Sequence, residues 1–169
     1  MRLTVLWANT LIGLALVAGV GLAAGAGAVL ISTAAITFPG VTLNGLDQTV
    51  TGSTTAWQAD GEAGPGGWNL TVSSTDFSDG GTESIAVGNF EIRLLDSNIV
   101  RVSGSPKLPT STQTTFAALS GTPLKIVSAA LGDGKGVYNL TPDFQLTVPG
   151  ETPPGNFTAT VTVSVAIGP

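Results

Sequence analysis

The sequence has 169 residues, of which 43% are hydrophobic and only 10% are charged, and its net charge at pH 7 is -5. This length suits one domain with its own core, and the abundance of Gly, Ser and Thr is typical of a strand-rich domain. The absence of cysteine and histidine excludes disulfides, thiolate or imidazole metal sites, cysteine nucleophiles and Ser-His-Asp triads, and the six scattered basic residues form no patch for nucleic acid.

The N-terminal segment is predicted to be an export signal. The basic start Met1-Arg2 precedes an uncharged run that extends to Ile31, and the small residues at 24–28 fit two overlapping cleavage patterns. We therefore predict a signal peptide over residues 1–28, with a hydrophobic helix, that is cleaved after Ala28. The alternative is an uncleaved membrane anchor, because the uncharged run is long enough to span a bilayer.

Residues 29–169 are predicted to form a single β domain, because short alternating runs separated by turn residues replace any helical period. The clearest pattern lies at 67–77, where Trp68, Leu70 and Val72 point to one face of an extended strand. Polar side chains alternate with these three on the other face. The run therefore predicts a strand that is buried on one side.

Earlier strands are predicted at 35–38 and 48–58. The loop 60–67 is rich in Gly and contains Pro, so it predicts a hairpin between the strand that ends near Trp57 and the strand that begins at Trp68.

The second half of the chain repeats the alternating pattern. Further strands are predicted within 85–95, at 98–103, at 124–131, at 137–140, around 144–148 and at 157–165, and the turn 132–136 predicts a second hairpin. The proline-containing stretch 106–113 is predicted to be a loop or a sheet edge. Eight to ten such strands without room for crossover helices predict an all-β fold, either an antiparallel β-sandwich or a barrel-like closure of one.

The chain resembles the WxL-domain proteins, which are surface proteins of Gram-positive and related bacteria. The resemblance covers Ile36 to Pro169 and rests on the order of four pieces: Ile36 to Val41, Trp68 to Val72, Ile85 to Leu94, and Pro154 to Thr160. The first Trp-x-Leu motif of the family falls on Trp68-Asn69-Leu70. The second motif falls in the final strand, where Val163 stands in place of Trp and Val165 in place of Leu.

This resemblance implies an exported, non-catalytic module that is attached non-covalently to the cell wall. Its implied partner is peptidoglycan or another surface glycan, with other surface proteins as further partners. No cofactor, metal or nucleic acid is expected, and the membrane is expected to be contacted only through an uncleaved signal. The degenerate motif at Val163 and Val165 implies that wall attachment is altered or lost.

Five residues are therefore candidates for the motif or for ligand binding: Trp57, Trp68, Leu70, Val163 and Val165. For Trp68 the alternatives are a ring that stacks on a sugar and a core residue, and its shared face with Leu70 favours the core. Trp57 is either a partly exposed platform or a residue inside the sandwich.

Two other interpretations concern polar residues. Asp76, Asp79 and Glu83 surround a turn whose spacing fits no calcium loop, so we expect a solvated acidic turn. The outward Thr and Ser side chains of the final strand suit an edge that pairs with another chain, which would make the protein a subunit of a surface assembly or pilus-like polymer.

Overall fold

The computed structural model describes residues 29–64 and 66–168, so the predicted signal at 1–28 lies outside the described residues. Within the described part, no helix is both long and apolar enough to cross a membrane.

The described part holds fourteen strands and two short 3-10 turns, at Val87–Asn89 and Asp96–Asn98. The strands are β1 (Leu30–Ser32), β2 (Gln48–Gly52), β3 (Trp57–Asp60), β4 (Trp68–Ser74), β5 (Phe77–Ser78), β6 (Ser84–Ile85), β7 (Phe90–Arg93), β8 (Ile99–Gly104), β9 (Thr110–Ser111), β10 (Ala117–Ala118), β11 (Leu124–Ala129), β12 (Gly136–Leu140), β13 (Asp143–Val148) and β14 (Val161–Ile167).

The strands form three four-stranded sheets and one two-stranded ribbon. Sheet A has the order β1-β3-β12-β8, sheet B the order β10-β7-β13-β2, and sheet C the order β14-β4-β11-β9, while β5 pairs with β6. Neighbouring strands are antiparallel throughout. The prediction of an all-β antiparallel fold is confirmed.

Large aromatic side chains join the sheets through a common core. The rings of Trp57 in sheet A and Phe144 in sheet B lie 5.8 Å apart between centroids, and Phe144 continues to Phe90 at 5.7 Å. Trp68 in sheet C lies 6.3 Å from Tyr138 in sheet A. Aromatic pairs at such separations add to the stabilisation from apolar burial. The three sheets therefore share one hydrophobic core, in a sandwich-like all-β fold.

The alternating patterns correctly predicted which face of most strands is buried. In β4, Trp68, Leu70 and Val72 are fully buried. The same inward alternation holds in β7, in β13 and in the chain leading into β14, where the fully buried residues include Phe90, Ile92, Phe144, Leu146, Phe157 and Val161. These runs are long enough for the period of two to identify the core side without knowledge of the partner strand.

Both predicted hairpins are wrong, because each turn crosses between sheets instead of joining neighbouring strands. β3 pairs with β1 and β12, whereas β4 pairs with β11 and β14. The turn after β11 likewise leads from sheet C to sheet A. The two crossing loops touch each other: the Gly61 amide donates to the Gly136 carbonyl at 2.9 Å, and a Cβ on Gly66 would come within 3.0 Å of the Gly132 nitrogen. Glycine permits this close backbone approach. Glycine-rich loops are also typical of hairpin turns, which is why the sequence pattern predicted hairpins at both places.

The first predicted strands also differ from the structure. Residues 35–38 form only an isolated bridge, in which Thr37 and Ser53 exchange two backbone hydrogen bonds of 2.9 and 2.8 Å. The predicted strand at 48–58 is two strands, β2 in sheet B and β3 in sheet A. The break at 53–56 contains only small and hydroxyl residues, which gave no turn signal.

Candidate functional site

The two segments predicted to correspond to Trp-x-Leu motifs lie side by side on neighbouring strands of sheet C. In the register of β4 with β14, Val165 is opposite Leu70, Val163 is opposite Val72, and Ile167 is opposite Trp68. Opposed residues of an antiparallel pair share one face of the sheet. Sequence segments that are far apart in the chain therefore form one structural unit.

Trp68 lies at the centre of this unit and inside the core. Its side chain is fully buried, and its indole Nε1 donates a hydrogen bond of 3.0 Å to the Gly134 carbonyl oxygen. Gly134 has φ of 71°, and a Cβ there would lie 2.5 Å from that indole nitrogen. Glycine is therefore required at this position, both for the left-handed backbone and for the space that the indole occupies.

Trp57 is also a residue of the sandwich interior and not an exposed platform. It is fully buried against Phe144, and its Nε1 donates to the Ala34 carbonyl oxygen at 3.3 Å. Leu70 is likewise fully buried, Val163 is 2% exposed, and Val165 is half-buried. In this arrangement neither tryptophan ring is open to stack on a sugar.

The opposite face of sheet C is polar and carries little charge. Thr71 on β4 is opposite Ser164 on β14 and Lys125 on β11, so hydroxyl and ammonium groups line up across three strands. One row further, Asn69 is held by two hydrogen bonds, from its Nδ2 to the Gly168 carbonyl at 2.7 Å and from the Ser128 hydroxyl to its Oδ1 at 2.8 Å. We call this surface the outer face of sheet C; it also includes Ser73 and Thr162.

The acidic residues near the β5–β6 turn serve as hydrogen-bond acceptors for the backbone. Asp79 Oδ1 accepts from the amides of Gly81 at 2.7 Å and Glu83 at 3.2 Å, and Asp76 Oδ1 accepts from the amide of Val87 at 2.8 Å. Across residues 29–64 and 66–168 no group of three or more acidic side chains is placed to hold a metal ion.

One shallow groove of about 450 Å³ opens beside the bridge between Thr37 and Ser53. Its lining consists of small and hydroxyl side chains: Ala34, Ala35, Thr37, Ser53, Thr54 and Thr55. None of these residues titrates near neutral pH, so the groove offers no general acid or base.

Two long strands lie at sheet edges in the described chain. β14, predicted to pair with another chain, is the end strand of sheet C and pairs with β4, while β1 packs near it without pairing with it. β8 is the end strand of sheet A, and its residues after Ile99 are all exposed. Sequence reasoning identified β8 only as a short strand, because its alternation resembles that of an interior strand.

The phenol of Tyr138 on β12 is held inside the core. Burial raises the pKa of this phenol, and the effect outweighs the lowering by the neighbouring Ser105 side chain and by the positive charge of Arg101. The hydroxyl donates to the Lys107 carbonyl at 3.0 Å, which ties the segment after β8 to sheet A.

The raised pKa predicts a loss of stability at alkaline pH. Because the folded pKa exceeds the unfolded pKa, the stabilisation is complete below the unfolded value and is lost as the pH rises through the folded value. We expect the melting temperature to fall as the pH rises above about 10, the ordinary pKa of a tyrosine, and to fall less steeply in Tyr138→Phe. Parallel pH profiles for the two proteins would contradict this assignment.

Comparison with known proteins adds little to this description. No family model matches the sequence, and no curated protein matches it. One solved structure to which it is similar is a family 123 glycoside hydrolase from Clostridium perfringens, studied for glycolipid glycan hydrolysis. The two share 13% identity with a TM-score of 0.40, over 73% of this chain and 19% of that one. The chain thus spans about a fifth (19%) of the hydrolase, and this likeness supports no conclusion about activity.

Proposed function

We propose that this protein is an exported, non-catalytic binding module of the bacterial cell surface that associates non-covalently with peptidoglycan. The observation that carries the proposal is the alignment of the two motif positions, with Val165 directly opposite Leu70 on adjacent strands. Motif positions that meet in one sheet are expected to act as one unit. The resemblance to WxL-domain proteins supplies the class of partner.

In this proposal the motif side chains support the binding surface from beneath, because Trp68, Leu70 and Val163 are buried and Val165 is half-buried. The outer face of sheet C is the surface proposed to contact the wall. It presents hydroxyl groups, among them those of the exposed Thr162 and Ser164, which are suited to hydrogen bonding with sugars. Its single charged residue, Lys125, is basic, so an acidic wall polymer is not repelled there even though the whole chain has a net charge of -5.

The test is co-sedimentation of the full chain, produced in an exporting bacterial host, with isolated cell walls and with purified peptidoglycan. We expect the wild type to sediment with both. Thr71→Glu and Ser164→Glu together introduce two carboxylates on the outer face of sheet C. They should weaken the binding by about tenfold or more, because these carboxylates would repel an acidic wall polymer.

The matched control is Thr82→Glu, which adds a carboxylate at an exposed turn between β5 and β6. It should leave sedimentation unchanged. A wild-type protein that stays in solution with both wall preparations would refute the proposal. Ladders or filaments that form without peptidoglycan would support the alternative of a subunit in a surface polymer.

A further inference from the structure

β8 is an edge strand that is exposed along nearly its whole length. It pairs with β12 on one side, and no described strand pairs with its other side. Val100 is 56% exposed and Val102 is 54% exposed. A free edge that carries β-branched side chains is a ready template for another strand.

Most other sheet edges in the described part of the chain are short. β9 and β10 have two residues each and β1 has three, whereas β14 is a seven-residue end strand with β1 packed nearby. β2 is tied at both ends to the preceding segment: Ser53, just after it, bridges to Thr37, and the Gln48 side chain donates to the Thr42 carbonyl at 2.9 Å. Of the two long edges, β8 is the more exposed: every residue after Ile99 is exposed, whereas Val161 and Val163 of β14 are buried.

The surroundings of β8 are basic in an otherwise acidic molecule. Arg101 lies at the middle of the strand, Lys107 follows it, and Lys135 is held next to it because its carbonyl accepts from the Ser105 amide at 2.7 Å. Two acidic residues lie nearby: Asp133 pairs with Lys107 at 3.1 Å, and Glu62 accepts from the Ser103 hydroxyl at 2.6 Å. The remaining described chain has two basic residues and nine acidic ones.

Arg101 is not neutralised by the rest of the described chain. Its Nη1 donates to the Gly104 carbonyl of its own strand at 3.1 Å, and it forms no ion pair with residues 29–64 or 66–168. Arg93, by contrast, pairs with Asp143 at 2.8 Å and lies over the Phe116 ring at 4.5 Å. The Arg101 guanidinium is therefore available to a carboxylate on a strand added at this edge.

The same charges disfavour a second copy of this chain as the occupant. Two β8 edges in contact would bring two sets of the three basic side chains together, and like charges on adjacent strands are destabilising. The ladder between β8 and β12 also skips Val102, and such a bulge is one of the features that protect edges from self-pairing. The basic side chains at this edge would attract an acidic strand, whereas they would repel a second β8.

We propose that the free edge of β8 binds an extended acidic segment of another protein by β-strand addition. Backbone hydrogen bonds to the edge would supply affinity, and carboxylates facing Arg101 and its basic neighbours would supply specificity. Apolar side chains that alternate with the carboxylates would cover Val100 and Val102. This interaction does not involve the outer face of sheet C and does not depend on wall binding.

The test uses the full chain from an exporting host and two labelled synthetic peptides of about six residues with blocked ends. One peptide alternates Thr or Val with Glu, and the matched peptide has Lys in place of Glu. Fluorescence anisotropy should show that the Glu peptide binds about tenfold more tightly or better than the Lys peptide. Equal affinities, or no binding of the Glu peptide, would overturn the proposal.

Charge reversal locates the site. Arg101→Glu should weaken binding of the Glu peptide and strengthen binding of the Lys peptide, without a change in melting temperature because the side chain is exposed. The matched control Lys125→Glu removes an exposed cation from sheet C and should leave both affinities unchanged. An Arg101→Glu variant that binds both peptides as the wild type does would contradict the assignment. Concentration-dependent dimers of the wild type in sedimentation velocity, abolished by Val102→Pro, would instead identify a second copy as the occupant.

Discussion

Replacement of Trp68 by alanine should lower the free energy of unfolding by about 3–5 kcal/mol, because it leaves a large cavity in a closely packed core. The indole is fully buried between sheets C and A, and its loss also leaves the Gly134 carbonyl without its hydrogen-bond donor. Since small domains are stable by only about 5–15 kcal/mol, the variant should melt far below the wild type or fail to accumulate. Denaturant unfolding measures the difference.

A second substitution separates the contribution of the aromatic packing from that of the indole hydrogen bond. Trp68→Phe retains an aromatic ring against Tyr138 but loses the indole donor, so it should be destabilised less than the alanine variant. Gln58→Ala, at an exposed position of β3, is the matched control and should be nearly neutral. A Trp68→Ala protein with an unchanged melting temperature and impaired wall binding would show that Trp68 acts on a ligand and not in the core.

The burial of individual strands could be predicted because it depends on local alternation. Phe144, Leu146 and Val148 alternate with polar residues along β13, so all three side chains point to the same face of the strand, and that face is buried. This prediction needs no knowledge of the partner strands. The pairing of strands could not be predicted in this way. Whether a Gly-rich turn returns along the same sheet or crosses to another depends on tertiary packing, here the contact of the loop at Gly61 with the loop at Gly136.

The candidate residues could be named from the sequence, but the geometry that relates them could not be predicted. The motif positions Leu70 and Val165 could be named from the resemblance, yet their direct opposition required the register of β4 with β14. The exposed edge at β8 gave no sequence signal, because Val100 and Val102 alternate as they would in an interior strand. Only the absence of a described strand beyond β8 distinguishes the two cases.

The register also changes what is expected from restoring the second motif. Val163 is 2% exposed and lies opposite Val72 in the tightly packed interface of β14 with β4. Val163→Trp would place a much larger side chain where the neighbours fit a valine, and overpacking of this kind costs about 3 kcal/mol or more for so large a change in volume. We therefore expect a lower melting temperature and no gain in peptidoglycan binding.

The adjacent outward position provides the control for this experiment. Thr162→Trp introduces the same side chain on the same strand at an exposed site, so it should change stability little. If Val163→Trp melts with or above the wild type and sediments more strongly with peptidoglycan, the core accommodates a tryptophan at position 163, which would support the proposed resemblance to WxL-domain proteins and an altered attachment in this chain. If only Val163→Trp is destabilised, as we expect, the core is fitted to a valine at position 163, and the proposed wall contact would then rest on the outer face of sheet C.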